Sequence, residues 1–301
     1  MSLKGKIVTD MIRFFTSQRM LGPKIQDGTL RKNIIDPPWH CPEEFVCLPI
    51  SMDNFEMELL TPKGEECGEV VLQLHGGGYI ARMRNAYRDF AVRYASMKKA
   101  RRVLSVDYRV APEYPYPAAL EDALAAYQWL LDAGFGGDKI ILAGDSAGGG
   151  LALALSMYLR DHGLPLCQRM VLMSPWTDLT ASGPSYQDNY ENDPLFGNTR
   201  ESMIYNGEYV GEENPRIPYI SPIFGDFTGL PPMLIQVGGL EMLLSDSVTA
   251  AQKAEEAGCQ VELEVYKEMF HVFQLSMDKL PESREAWEKI YHFCSDSEKE
   301  E

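Results

Sequence analysis

Positive charge is scarce in this chain of 301 residues: 28 Lys and Arg stand against 44 Asp and Glu, a formal net charge of −16. Such a surface repels the phosphates of nucleic acids and the headgroups of anionic lipids, which argues against both as partners. A run of about twenty apolar residues is missing, so no transmembrane helix is expected. The first residues also lack the charged, apolar and small-residue order of a secretory signal. Cys-x-x-Cys spacing is absent from the six cysteines, Cys41, Cys47, Cys67, Cys167, Cys259 and Cys294. Scattered thiols of this kind point to a reduced, cytoplasmic protein and away from a disulfide framework or a zinc site.

What is present is a serine in a Gly-x-Ser-x-Gly frame, Gly144-Asp145-Ser146-Ala147-Gly148. Ile140-Ile141-Leu142-Ala143 reads as a buried strand and Leu151 to Leu159 as a helix, placing Ser146 in the sharp turn between them. There the hydroxyl projects clear of the backbone, and the flanking positions must be small, as Gly144, Ala147, Gly148, Gly149 and Gly150 are. The following helix aims its positive N-terminal end at the serine, favouring the negative charge that develops in acyl transfer. The bare pentapeptide arises by chance in about one chain in ten of this length, so its strand-turn-helix setting carries the argument.

A second glycine-rich turn lies upstream. The apolar strand Val70-Val71-Leu72-Gln73-Leu74 runs into His75-Gly76-Gly77-Gly78-Tyr79. Three glycines after a strand let backbone N–H groups converge on one point, here the oxyanion of a tetrahedral intermediate, with Gly77, Gly78 and Ala147 as donors. A phosphate cradle is disfavoured, because no Gly-Lys-Ser/Thr follows and the spacing does not fit Gly-x-Gly-x-x-Gly. His75 precedes the serine and reads as an organiser of this loop.

Of the five histidines, His271 is the best placed to act as a base, in a short loop after the strand-like Val261 to Tyr266. His162 and His292 fall in helical stretches. The apolar strand Leu234-Ile235-Gln236-Val237 leads into a loop holding two carboxylates, Glu241 and Asp246. Either reaches an imidazole from there; Glu241 is nearer the strand end, and Ser245 or Asp246 has an alternative task as N-cap of the helical run Val248 to Glu256. Both choices give the order Ser, acid, His, the chain order of the α/β-hydrolase triad.

His75-Gly76-Gly77-Gly78, Asp107-Tyr108-Arg109-Val110-Ala111-Pro112-Glu113, Gly144-Asp145-Ser146-Ala147-Gly148-Gly149 and the late glycine-acid loop before His271 together resemble the hormone-sensitive-lipase-like esterases, the bacterial family IV carboxylesterases. The resemblance extends from about Leu72 to Phe273. It implies an α/β-hydrolase fold with Ser146 as nucleophile, His271 as base, Glu241 as acid, and Gly77, Gly78 and Ala147 as oxyanion donors. It implies no cofactor and no metal. Most members carry Asp-Pro-Leu at the acid position, where this chain reads Glu241-Met242-Leu243. The leucine supports the alignment, and glutamate serves as third member elsewhere in this fold.

The remaining pattern fits one α/β domain. Strands are expected near Val46–Pro49, Met57–Leu60, Val70–Leu74, Val103–Val106, Lys139–Ala143, Met170–Met173, Met233–Val237 and Val261–Tyr266, forming an eight-stranded, mostly parallel sheet with helical crossovers such as Pro117 to Leu131. Two segments stand outside this alternation: residues 1 to about 40, with an amphipathic helix (Ile7, Val8, Met11, Ile12, Phe15) whose apolar face should cover something, and the long connection 179–228. In the resembled family such regions form a cap over a catalytic core, here about 41–178 and 229–294. The acidic end from Ser295 to Glu301 reads as a solvated tail.

The expected activity is hydrolysis of short- to medium-chain esters through an acyl-enzyme. Alternatives with the same machinery are opening of a lactone, including a cyclic terpenoid lactone, or cleavage of an activated amide. A ligand-binding receptor without turnover is a further alternative, but receptors on this fold typically lose the serine or histidine that this chain keeps. A peptidase is disfavoured by the lack of a propeller domain. The family resemblance and an exposed terminal strand near Val261 point to a homodimer.

Overall fold

The computed structural model describes residues 1–16, 36–97, 101–197 and 207–295. Its centre is a sheet of β1 (Phe45–Ser51), β2 (Glu56–Pro62), β3 (Glu69–Leu74), β4 (Arg101–Asp107), β5 (Ile140–Asp145), β6 (Arg169–Met173), β7 (Met233–Gly238) and β8 (Val261–Tyr266). All eight expected strands are present. Their order is β1-β2-β4-β3-β5-β6-β7-β8. β2 runs antiparallel to both β1 and β4, and every other pairing is parallel.

Helices cover both faces: α1 (Leu3–Thr16), α2 (Asn85–Ala95), α3 (Ala118–Asp132), α4 (Ala147–Asp161), the single turn α5 (Ser185–Asp188), α6 (Leu244–Glu256) and α7 (Pro281–Ser295). Parallel strands sandwiched this way read as continuous apolar runs, because successive side chains enter opposite layers. Val70, Leu72 and Leu74 join Leu142, Leu172 and Ile235 against α3, α4 and α6. Val71, Ile141, Val171 and Leu234 face Tyr87, Phe90 and Tyr94 of α2 and Trp287 and Ile290 of α7. Each aliphatic side chain buried this way contributes about 1.5–3 kcal/mol. Both faces of the central strands are thus anchored, and the strand ends become fixed points.

Two expectations are corrected. α1 lays only part of its apolar side on the body: Val8 and Ile12 pack beside Met269 and Phe273, but Ile7, Met11 and Phe15 stay exposed. Gly5, Thr9 and Thr16 are the buried positions. Their small side chains let the helix backbone approach closely, and the Thr16 hydroxyl donates to the Pro194 carbonyl at 2.6 Å. Likewise α6 begins at Leu244 without a side-chain cap, so neither Ser245 nor Asp246 is its N-cap. Residues 17–35 and 198–206 of the two additional segments lie outside the described residues, as does the acidic end beyond Ser295.

Candidate active site

The C-terminal ends of five adjacent strands, β3, β5, β6, β7 and β8, deliver the candidate residues to one edge of the sheet. At the end of β5, Ser146 adopts φ 52° and ψ −122°, a conformation that costs a non-glycine residue about 1–3 kcal/mol. The surroundings impose it. The Ser146 N–H donates to the Met173 carbonyl at 2.9 Å, and its own carbonyl accepts from Gly150 at 3.1 Å and Trp176 at 2.8 Å. A Cβ at Gly148 would collide with the carbonyl oxygens of Leu74 and His75, which explains the glycine there.

The turn after β3 places Gly77 at φ 118° and Gly78 at φ 65°, open to glycine and strained for other residues. Both line a cavity of about 170 Å³ together with Ser146 and His271. Ala147 opens α4 directly behind Ser146, where the first N–H groups of a helix have no acceptor within it. His75 sits behind this turn. Its ring stacks on Tyr108 with centroids 4.1 Å apart, and its Nδ1 lies 2.7 Å from the Gly76 carbonyl. Burial pushes its pKa down to about 4 despite that hydrogen bond and nearby Asp107. It is therefore a neutral organiser at neutral pH.

The loops after β7 and β8 bring Glu241 and His271 together. His271 Nδ1 lies 2.7 Å from Glu241 Oε2. Because the carboxylate only accepts, the imidazole proton sits on Nδ1 and Nε2 keeps a free lone pair. Burial opposes a charge on His271, but Glu241, with help from Asp193 and Asp145, outweighs it and raises the pKa above 6.5. The other carboxylate oxygen, Glu241 Oε1, accepts from Ser174 Oγ at 2.7 Å and from the Gly238 N–H.

Asp246, the other acid candidate, points elsewhere. Its Oδ2 accepts from the N–H groups of Thr177 and Asp178, both at 2.8 Å, and it makes no contact with His271. Burial lifts its pKa from 3.8 to about 8, only partly offset by those two donors. A folded-state carboxyl pKa above the unfolded value means that the native state holds a proton the unfolded chain releases, so this contribution to stability is lost as pH rises from about 4 to about 8. The Asp246→Asn variant, a neutral isostere that still accepts both bonds, is expected to lose less melting temperature than wild type between pH 5 and pH 8.5. Thermal scans across that range check it; an equal or larger loss in the variant contradicts it.

Two contributors escaped the sequence reading. Ser174 bridges the site at φ 47°, donating to Glu241 while its hydroxyl oxygen accepts the Val272 N–H at 3.2 Å. Asp145 accepts the Gly76 N–H at 3.0 Å and so ties the elbow to the glycine turn. Burial raises its pKa to about 7, against the lowering effects of His271 and the Gly76 donor. Ser174 follows directly on β6, between the strands that carry the elbow and Glu241, and that position was its only visible signal. Among the described residues, no group of three or more His, Cys, Asp or Glu is arranged to hold a metal ion.

Comparison with known proteins agrees with this fold. A family model described as the alpha/beta hydrolase fold matches residues 71–275. An acetyl-hydrolase of Streptomyces hygroscopicus is 42% identical over 239 residues, covering 79% of each chain. An esterase of the bacterial hormone-sensitive lipase family superposes with a TM-score of 0.83 at 36% identity, over 97% of both chains. EstE5, in a crystal soaked with p-nitrophenyl butyrate, gives a TM-score of 0.86 at 33% identity over 97% of this chain and 98% of its own. With the eight-stranded sheet, the elbow and these likenesses in hand, the chain belongs to the α/β-hydrolase family, in its bacterial hormone-sensitive-lipase-like branch of carboxylic ester hydrolases.

Proposed function

We propose that the chain hydrolyses short- to medium-chain carboxylic esters through a Ser146–His271–Glu241 triad. The observation that carries this reading is the 2.7 Å contact of Glu241 with His271 Nδ1, on an imidazole that shares its cavity with Ser146. In the proposed cycle, His271 Nε2 takes the Ser146 proton as the hydroxyl oxygen attacks the ester carbonyl. Gly77, Gly78 and Ala147 N–H groups hold the oxyanion. His271 returns the proton to the leaving alcohol, and water, activated by the same imidazole, frees the acid and regenerates Ser146. Glu241 fixes the tautomer and stabilises the imidazolium, and Asp145 keeps the glycine turn in register with the elbow.

Trp176, Leu195, Phe196 and Leu243 line the cavity and favour an apolar acyl or alcohol group. Leu195 and Phe196 come from the 179–228 connection, to which α1 is bonded through Thr16. This supports a cap of about 1–40 and 179–228 over a core of 41–178 and 229–294. Cytoplasmic residence, supported by six free thiols, and a homodimer along β8, the last strand of the sheet, complete the proposal. No described helix is long and apolar enough to cross a membrane.

Steady-state hydrolysis of p-nitrophenyl esters from acetate to palmitate tests the proposal. Turnover of the shorter members supports it. Inactivity across the series alongside turnover of a lactone replaces the ester with a lactone as substrate. The pH profile is a separate check. A base must be neutral to take a proton, and His271 is raised, so kcat/KM should fall on the acid side with a midpoint above 6.5. A flat profile from pH 5 to 8 rules out a histidine base.

A further inference from the structure

The segment that follows β6 does more than line the cavity. Ser185, Asn189 and Asp193 are spaced four residues apart, and backbone bonds from Asn189 to Ser185 at 3.0 Å and from Asp193 to Asn189 at 2.8 Å continue a helical path through them. At that spacing the three side chains share one face. All three close on the backbone of the loop that carries Glu241. Ser185 Oγ donates to the Met242 carbonyl at 2.5 Å and accepts the Ser245 N–H at 2.9 Å. Asn189 Nδ2 donates to the carbonyls of Gly239 at 3.1 Å and Glu241 at 2.8 Å. Asp193 Oδ2 accepts the Met242 N–H at 2.8 Å.

The carbonyl of Glu241 and the N–H that follows it are therefore both held by side chains from another segment. A glutamate has three side-chain torsions between its backbone and its carboxylate, so a fixed backbone is a condition for a fixed carboxylate. A shift on the order of 1 Å at an orienting group is enough to degrade a catalytic arrangement. Asp193 is fully buried, and its Oδ1 also accepts from Leu195 at 2.8 Å and Phe196 at 3.0 Å, which line the cavity. The Phe196 ring lies 5.0 Å from the His271 ring. From outside, α1 braces the segment through Arg13 to the Asn192 carbonyl and Thr16 to the Pro194 carbonyl.

We infer that Asn189 and Asp193 are positioning residues that set the backbone of Glu241 so that its carboxylate meets His271. Their role rests on Glu241 being the acid of the triad. Segment 185–197 is then part of the catalytic apparatus as well as a wall of its cavity. The carboxyls bearing on His271 are Glu241, Asp193 and Asp145; burial holds Asp193 above the usual carboxylate range, so its grip on the loop backbone, rather than its charge, carries the role.

A double-mutant cycle of Asn189→Ala and Glu241→Gln tests this, with kcat, KM and melting temperature measured for all four forms. Alone, Asn189→Ala is expected to lower kcat about 10- to 100-fold, as loss of an orienting partner does elsewhere, with KM within about twofold. In the Glu241→Gln background the same change should cost less than about threefold, since the group it positions is already lost. An equal loss in both backgrounds overturns the inference. Wild-type turnover in Glu241→Gln alone is a different result: it removes the acid assignment and the positioning role with it. Should Asn189→Ala prove too unstable to assay, Asp193→Asn provides the second reading. An asparagine cannot accept at both side-chain atoms, so the grip on the Met242 N–H or on Leu195 and Phe196 is lost, the contact of Glu241 with His271 loosens, and the acid limb of kcat/KM should move to lower pH. A lowered kcat with an unmoved limb is the mark of a merely structural residue and overturns the inference.

Discussion

Replacing Ser146 by alanine is expected to lower turnover of p-nitrophenyl esters by about 10⁴ to 10⁶, the range seen when a triad nucleophile is lost. The expectation isolates the chemistry, because the change removes one oxygen and leaves the fold intact. Alanine at φ 52° meets the same backbone strain as serine, so the elbow is no worse off. The bonds that hold it, to Met173, Gly150 and Trp176, are all made by backbone atoms and survive the substitution. Melting temperature should accordingly change by only a few degrees. Residual catalysis is still expected, since the oxyanion donors and the cavity remain. Activity within tenfold of wild type, in material free of host esterase, rules out Ser146 as nucleophile.

The second large effect is expected from Glu241→Gln, a loss in kcat of about 10³ to 10⁴ with little change in size or packing. The amide oxygen of the glutamine takes over the bonds from Ser174 Oγ and the Gly238 N–H, which both need an acceptor. Its NH₂ group must then face His271 Nδ1 and donate to it. That forces the imidazole proton onto Nε2, and a protonated Nε2 cannot accept the Ser146 proton. The failure is one of tautomer. It should be accompanied by loss of the group that most strongly raises the His271 pKa. Asp246→Asn serves as the companion: its carboxyl lies on Thr177 and Asp178, so kcat is expected to stay within about threefold. A severe loss in Asp246→Asn with a mild one in Glu241→Gln reverses the assignment.

The central strands were legible because parallel strands covered on both faces are written as nearly unbroken apolar runs, and β8 was legible from the alternation of apolar and acidic residues over Val261–Tyr266. The cluster of Ser146, His271 and Glu241 was legible for the same reason: each follows one of those strands. What was not legible acts across long separations on groups that carry no sequence signal. Ser174 meets Glu241 across 67 residues and Asp145 meets the Gly76 N–H across 69. Asn189 and Asp193 bind backbone atoms, which look the same whatever residue supplies them. The partial turning of α1 has a related cause. Its apolar stripe identifies a helix, but which side faces inward is decided by how closely its partner approaches, and here Gly5, Thr9 and Thr16 win that contact.

One consequence of the sheet order concerns how such a protein can change. The glycine turn, the elbow serine, Ser174, Glu241 and His271 leave neighbouring strands in sequence across the sheet, and neighbouring strands stand about 4.8 Å apart. The spacing of the reactive groups is thereby inherited from the hydrogen-bond ladder. A slip of one residue in the pairing of β7 with β8 would carry the loop that holds His271 about 3.3 Å along the strand direction and turn the β8 side chains to the opposite layer, breaking the pair with Glu241. Insertions in the 179–228 connection that lie outside segment 185–197 shift no rung of that ladder and leave Asn189 and Asp193 on the Glu241 loop. Ladder and connection therefore differ in evolutionary freedom: substrate range can drift by lengthening or rewriting the walls of the cavity, while the distances that make the chemistry possible are inherited unchanged.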